Sequence, residues 1–331
     1  MLTNATSFSA LAVPFHDERG VEAVVLLVKA TFLKRGPRLV LADEQVPVRT
    51  IDVPTDPLAV EEGRESSIRY PSDVAGEKLG ADVVVVGSAV SPKPVPSLDV
   101  ALRAPGRTMS LRVHGERVFY KSTLRLKIGP GAPFERAAIT YERAYGGKSS
   151  DGSIVDWRNP VGRGVHRSSA ELDGALAPSV EDPAHPIEGA GKAAPVGFGA
   201  IAVWWLPRRD LAGTMDATWQ TERMPLPPLD FDRRFYQVAP TSLQMDRALQ
   251  EGDLIATHGL CPEGLFDVTI PALPLVAHLR RAGAPPVSLP LVLDTALLEP
   301  EAGRVELTFR RVVPLGRGHT LLREARIDVD C

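Results

Sequence analysis

Cysteine is scarce in this 331-residue chain, which has two, Cys261 and the terminal Cys331. Two cannot build a dense disulfide framework, and neither has a metal-type spacing, so a reducing cytosol fits best. Charge of one sign is lacking too. The formal net charge is −3 with both signs interspersed, which argues against the clustered basic footprint of a nucleic-acid binder. Long apolar runs are missing: those such as residues 23–28 and 83–86 fall far short of the roughly 20 residues of a membrane-spanning helix. The first residues, Met1-Leu2-Thr3-Asn4-Ala5-Thr6, show no basic segment followed by an apolar one. No signal peptide and no membrane insertion are therefore expected, and the protein is read as cytoplasmic.

Catalytic signatures are also wanting. There is no Gly-x-Ser-x-Gly elbow, no His-Glu-x-x-His, no Walker loop and no Gly-x-Gly-x-x-Gly after a strand. The histidines, at 16, 114, 166, 185, 258, 278 and 319, never fall three or four residues apart, so local zinc-ligand pairs are absent. No internal repeat or low-complexity tract is present. No cofactor or metal is expected.

What the chain has in quantity is proline and glycine, 30 and 28 residues. Proline interrupts helices and central strands, so short strands and long, shaped connections are expected. Hydrophobic residues make up 44%, enough for a sizeable core. Residues 23–32 and 81–87 are β-branched, apolar runs that read as strands. Residues 98–103, 110–114 and 118–121 follow, and 81–128 together suggest an antiparallel meander. Residues 43–80, broken by Pro47, Pro54, Pro57 and Pro71, read as exposed loop with one edge strand, and 167–195 as the most mobile loop. Short helices are expected near 216–223 and 273–282. Residues 291–298 and 304–313 flank a Gly303 turn and read as a hairpin. The whole is expected to be mainly β, with packed antiparallel sheets, sandwich or barrel-like, long ordered loops and few short helices. It is treated as one unit, 1–331, with an N-terminal β region 1–140, a motif-rich region 141–250 and a C-terminal hairpin region 251–331.

Residues 141–240 crowd aromatics, arginines, aspartates, prolines and glycines together without helical or strand period. Their backbone groups must be met by side chains or water, so the segment is expected to be held in one shape. Asp230 and Asp232 are the best carboxylate pair. They suit general acid–base work or a cation, or ordinary pairing with Arg223, Arg233 or Arg234 that locks the loop; the second is preferred. Glu142 is either a base or, with Arg143 between Tyr141 and Tyr145, part of a cation–π and salt-bridge cluster; again the second is preferred. Gly146-Gly147 suits positive φ in a tight turn. Asp151-Gly152-Ser153 with Asp156 lacks the ligand pattern of a calcium loop. Trp204 and Trp205, if in a strand, would face opposite sides, one toward a partner; the equally weighted alternative is that a loop covers both. Cys261 reads as a small buried hydrophobe.

The ordered set of motifs resembles a bacterial domain family, long of unknown function, found beside type VI secretion genes. The resemblance runs over about residues 25–313. It rests on Val28-Lys29-Ala30-Thr31-Phe32, on Asp82-Val83 through Gly87, and on Gly115-Glu116-Arg117, where the family more often has Gly-Asp-Arg. Its core is Tyr141-Glu142-Arg143-Ala144 with Gly146-Gly147, then Asn159-Pro160-Val161-Gly162. Pro195-Val196-Gly197-Phe198-Gly199, Gly213-Thr214-Met215-Asp216 with Trp219, Asp230-Phe231-Asp232, Arg234-Phe235-Tyr236, Ala239-Pro240 and Gln244 complete it. The resemblance implies a non-catalytic adaptor or chaperone. It would hold a type VI effector, or the tip domain fused to it, and load it onto the spike protein. Tyr141, Glu142, Arg143, Tyr145, Trp204, Trp205, Asp216, Trp219, Arg223, Asp230, Asp232, Arg234 and Phe235 are the partner-binding or loop-locking candidates. The alternatives are a hydrolase using Asp230, Asp232 or Glu142, and a structural component of the secreted particle. Oligomeric state is left open.

Overall fold

The computed structural model describes residues 2–123, 125–316 and 321–330; His319 and Cys331 lie outside the described residues. Its centre is the long strand Glu22–Arg35, whose residues 25–32 are all buried. A run of β-branched and apolar residues with both faces covered explains why no alternation is visible there. This strand pairs antiparallel with Ser9–His16 on one side and Arg304–Pro314 on the other, and with Arg38–Leu41 at its end. Val292–Glu299 follows, and Asp82–Val85 closes the sheet in parallel register. The expected hairpin is present, with Gly303 left-handed at its turn exit.

A second sheet orders Val180–Glu181, Arg107–His114, Ser97–Ala104, Leu254–His258 and Leu265–Thr269. A third orders Leu2–Asn4, Leu322–Val329, Leu275–Arg281 and Val287–Pro290. One apolar cluster draws on all of them, with Val28, Leu102, Leu111, Phe266, Leu279 and Ile327 among its members. The architecture is mainly β, built of packed and mostly antiparallel sheets; no closed barrel forms among the described residues. The α-helices described are two short ones, Pro57–Glu61 and Ala217–Glu222.

Several local expectations are corrected. Residues 81–128 are not one meander. Asp82–Val85 belongs to the first sheet, Ser97–Ala104 and Arg107–His114 form a hairpin of the second, and Phe119–Lys121 pairs with Leu126–Ile128. The helix expected at 273–282 is the strand Leu275–Arg281, paired on both edges. Its period of two, Leu275, Ala277 and Leu279 facing the core, is masked by the apolar Val276, and the ladder overrides local preference.

Residues 43–80 are not simply an exposed loop. They cover a polar face of the first sheet on which Glu306, Thr308 and Arg310 are buried. Lys29 on the central strand contacts Asp73 and lies 3.3 Å from Glu306. Arg49 meets Glu306 with two hydrogen bonds of 2.5 and 2.9 Å and stacks over Tyr70 at 4.4 Å. Arg310 pairs with Asp294 at 2.5 Å and donates to the Ala75 carbonyl. Burial alone would raise the Glu306 carboxyl, but Arg49 and Lys29 outweigh it and hold it below its ordinary value. The stretch 167–195, expected to be the most mobile, is fixed at its middle. Residues 177–181 are buried, Val180–Glu181 adds to the second sheet, and Glu181 receives Arg117 at 2.6 Å and His114 at 2.8 Å.

Candidate functional site

The irregular middle of the chain is held by buried polar groups rather than by a ladder. Tyr141–Arg143 forms a single 3-10 turn. The Tyr141 ring meets Trp205 edge to face at 5.4 Å, and its hydroxyl donates to the Gly199 carbonyl at 3.3 Å. Burial pushes the Tyr141 phenol well above its usual range. Asn159 is fully buried beside this turn. Its side-chain amide donates to the carbonyls of Tyr141 at 2.8 Å and Tyr145 at 2.9 Å, and its backbone carbonyl accepts the Gly147 N–H at 2.7 Å. Gly146 and Gly147 take φ of 144° and 94° there. A Cβ on Gly146 would lie 2.2 Å from the Asn159 oxygen, and one on Gly147 2.3 Å from that of Gly162. The glycines are thus needed for close backbone approach as well as for φ.

The expected charge cluster around Glu142 and Arg143 is corrected in its partners. Glu142 accepts the Ser67 N–H at 2.7 Å and the Ser67 hydroxyl at 2.8 Å. Arg143 pairs with Glu116 at 2.9 Å and donates to the His114 carbonyl. Both partners come from other parts of the chain. No cation–π contact of Arg143 with Tyr141 or Tyr145 is present among the described residues. Tyr145 is buried at the strand Tyr145–Lys148.

Farther along, Trp204 and Trp205 sit in a turn, not a strand. Trp205 is fully buried and Trp204 is 44% exposed, so the in-and-out split holds without a pleat. Asp216 caps Ala217–Glu222 by accepting the Trp219 N–H at 2.8 Å, and the Trp219 indole donates to the Leu226 carbonyl at 2.8 Å. Arg223 donates to the carbonyls of Pro227 and Glu18. Asp230 is bound by Thr214 through its N–H and hydroxyl, at 2.9 and 2.8 Å, rather than by an arginine. Asp232 caps the 3-10 turn Arg233–Tyr236 and takes Arg234 Nε at 2.9 Å. Both carboxyls are held below their ordinary value, Asp230 by the Thr214 hydrogen bonds and Asp232 by Arg234. Phe235 packs edge to face on Phe231 at 5.5 Å.

Three clefts adjoin over this framework. One, of about 460 Å³, is lined by Met109, Tyr141, Val196, Leu206, Arg208 and Leu211 among others. A second, about 560 Å³, runs past Tyr145, Trp157, Val165 and His166. A third, about 1210 Å³, carries charged groups, with Arg125, Lys127, Asp182, His185 and Lys192. Arg158 lines all three, so they form one concave face. Trp157 is exposed on it and stacks against Arg209 at 5.0 Å. Of the residues predicted from sequence, Tyr141, Tyr145 and Arg234 line this face; Glu142, Asp230 and Asp232 do not. Trp157, Arg158 and Arg208 were missed. Trp157-Arg158 stands directly before the Asn159-Pro160 motif, a legible aromatic–arginine pair; Arg208 gives no sequence sign that it is buried. Among the described residues no group of three or more His, Cys, Asp and Glu is placed to hold a metal ion. Cys261 is buried, and burial pushes its thiol up. No helix of the described residues is long and apolar enough to cross a membrane.

Fold and site together define a mainly-β protein with an irregular central face. Residues 19–310 match the family described as "Uncharacterized protein conserved in bacteria (DUF2169)", and the chain belongs to that family. No curated protein and no solved structure matches it.

Proposed function

We propose that the protein is a non-catalytic adaptor that docks a protein partner on the concave face around Arg158. The observation that carries this is the joining of three clefts over a framework fixed by buried Asn159, Asp82 and Trp205, with aromatic rings and guanidinium groups at its surface. Pre-shaped surfaces with aromatic and Arg anchors are what protein interfaces use. Glu142, Asp230 and Asp232 are each engaged by a different group, Ser67, Thr214 and Arg234. That separation favours docking over a convergent acid–base pair. The motif order, with its resemblance to a type VI secretion-associated family, supplies the partner class: an effector, or its tip domain, passed in the cytoplasm to the spike protein. The test is co-expression with the products of the neighbouring genes. A complex that survives gel filtration and buries at least about 1,000 Å² is expected. Failure of every neighbouring product to bind would overturn it.

A further inference from the structure

Arg208 opens the 3-10 turn Arg208–Ala212 and is 8% exposed. A buried guanidinium ordinarily faces a carboxylate, because an unpaired charge is costly away from water. Arg208 has none within ion-pair distance among the described residues. Its Nε donates to the Phe235 carbonyl and its Nη1 to the Ile201 carbonyl, both at 2.8 Å, and the group stacks on Phe235 at 5.3 Å. Nη2 makes no hydrogen bond among the described residues and is not fully buried, so it is open to solvent. Asp82 acts on it only through space and is itself taken up by Lys78, Val238 and Ala239; Asp52, the other such acid, accepts the Ser72 N–H. Burial accordingly pushes the Arg208 guanidinium below its ordinary value, as expected of a cation that lacks its anion.

The cleft that Arg208 lines has the complementary composition. Its lining holds three arginines, 158, 208 and 234, and no Asp or Glu. Arg158 and Arg234 are each held by an aspartate two positions earlier, and their side chains are 44% and 59% exposed. The remaining wall is largely apolar, with Met109, Val196, Ile201, Leu206 and Leu211. About 460 Å³ lies within the range of sites that bury a small ligand. Through Arg158 and Leu206 the cleft continues into its neighbour, which suits an extended chain more than a compact molecule.

We infer that this cleft receives a carboxylate carried on an apolar peptide segment of a protein partner, with the carboxylate on Arg208 and the flanking side chains against Val196, Ile201 and Leu211. The choice of a peptide as occupant rests on the adaptor reading. The carboxylate could be an acidic side chain or a chain terminus.

The test uses the full chain and four probes. These are acetyl-Ala-Leu-Glu-Leu-Ala-amide, its Gln counterpart, acetyl-Ala-Leu-Ala-Leu with a free carboxyl terminus, and hexanoate. Binding is followed by the Arg208 Nε–Hε resonance. At least one carboxylate peptide is expected to saturate and to bind about tenfold or more tighter than the Gln peptide, the value of a charge-assisted hydrogen bond; which one it is tells side chain from terminus. Arg208→Met loses its bonds to Ile201 and Phe235 and is at risk of misfolding. Ser242→Trp is the second variant: Ser242 is exposed and lines the cleft. It should abolish peptide binding with the melting transition unchanged. Failure of both carboxylate peptides to bind more tightly than the Gln peptide, hexanoate as tight as the peptides, or binding untouched by Ser242→Trp would each overturn the inference. A partner complex that forms equally well with Ser242→Trp would overturn it and leave the adaptor reading intact. Absence of any partner complex with the unaltered protein would strike the adaptor reading instead.

Discussion

Asp82 and Val238, 156 positions apart, are joined by a hydrogen bond of 2.9 Å from the Val238 N–H to the Asp82 carboxylate. The same carboxylate accepts the Ala239 N–H at 3.3 Å and Lys78 Nζ at 2.7 Å, and Lys78 also donates to the Thr295 hydroxyl. Asp82 is fully buried. One ionic group therefore ties the edge strand of the first sheet to the segment that lines the 460 Å³ cleft.

Asp82→Ala should leave Lys78 buried and unpaired and two backbone N–H groups unmet. The expected cost is about 3–5 kcal/mol. Lys78→Met in the same chain should recover part of it, because the stranded charge is gone. Urea unfolding of both variants checks this. A loss below about 1 kcal/mol for the single change would show that the segment is held some other way.

Glu181 gives a pH dependence. Burial opposes its ionisation, yet the His114 and Arg117 hydrogen bonds, the Ile187 N–H and the Arg117 charge outweigh burial and push its carboxyl down to about 2. The folded value lies below the ordinary 4.5, so the unfolded chain takes up the proton first. Stability from Glu181 is full above about pH 4.5 and is lost as pH falls toward about 2. Glu181→Gln should be less stable at neutral pH and show a shallower acid slope. Unfolding curves across that range, in which the variant tracked the unaltered protein, would refute the assignment.

Gly146→Ala and Gly147→Ala should each be severely destabilising, by about 2 kcal/mol or more. Each places a Cβ against a backbone oxygen at 2.2–2.3 Å and forces an L residue to positive φ. Gly152→Ala is the control: its φ is also positive, but nothing lies within 4 Å of the added Cβ. It should lose only the conformational part, about 1 kcal/mol. Thermal melts of the three proteins separate the two terms.

Local patterns revealed strands where β-branched, apolar runs are long or a turn signal flanks them, as at Glu22–Arg35 and the hairpin at Gly303, but not at Leu275–Arg281. They also revealed the glycine pair and the short helix near 216–223, because those depend on neighbours in sequence. What they could not reveal was partner identity. Glu306, Thr308 and Arg310 read as a polar face, yet they are buried beneath 43–80, whose Arg49 and Asp73 complete them. Glu142 looked bound to its neighbours but reaches Ser67, 75 positions away. Asp82 and Arg208 gave no local sign of burial, since their environment is assembled from distant segments.

Asp232→Asn bears on the hydrolase alternative. Asp232 caps a 3-10 turn and holds Arg234 at a partly exposed site. The expected cost is about 0.5–1 kcal/mol, with partner capture retained. A protein that hydrolyses a substrate and loses that activity in Asp232→Asn at unchanged melting temperature would reverse the preference for docking.

The adjacent tryptophans separate framework from surface most cleanly. Trp205 is fully buried against Tyr141, so Trp205→Ala should cost about 3–5 kcal/mol through lost contact and a cavity. Its indole N–H has no hydrogen-bond partner among the described residues. Trp205→Phe should therefore cost less than its lost volume suggests, since it also removes an unmet buried donor. Trp204, next door, is exposed and lies in sequence between Ile201 and Leu206, which line the cleft, although it lines none of the clefts itself. Trp204→Ala should leave the melting transition within about 0.5 kcal/mol of the unaltered protein, because surface changes away from special contacts rarely exceed that. If the face docks a partner, the same change should weaken the complex by about 2 kcal/mol or more, the usual loss for an aromatic anchor. Trp204→Ala that binds as well as the unaltered protein would move the docking surface away from this turn, whatever it did to stability.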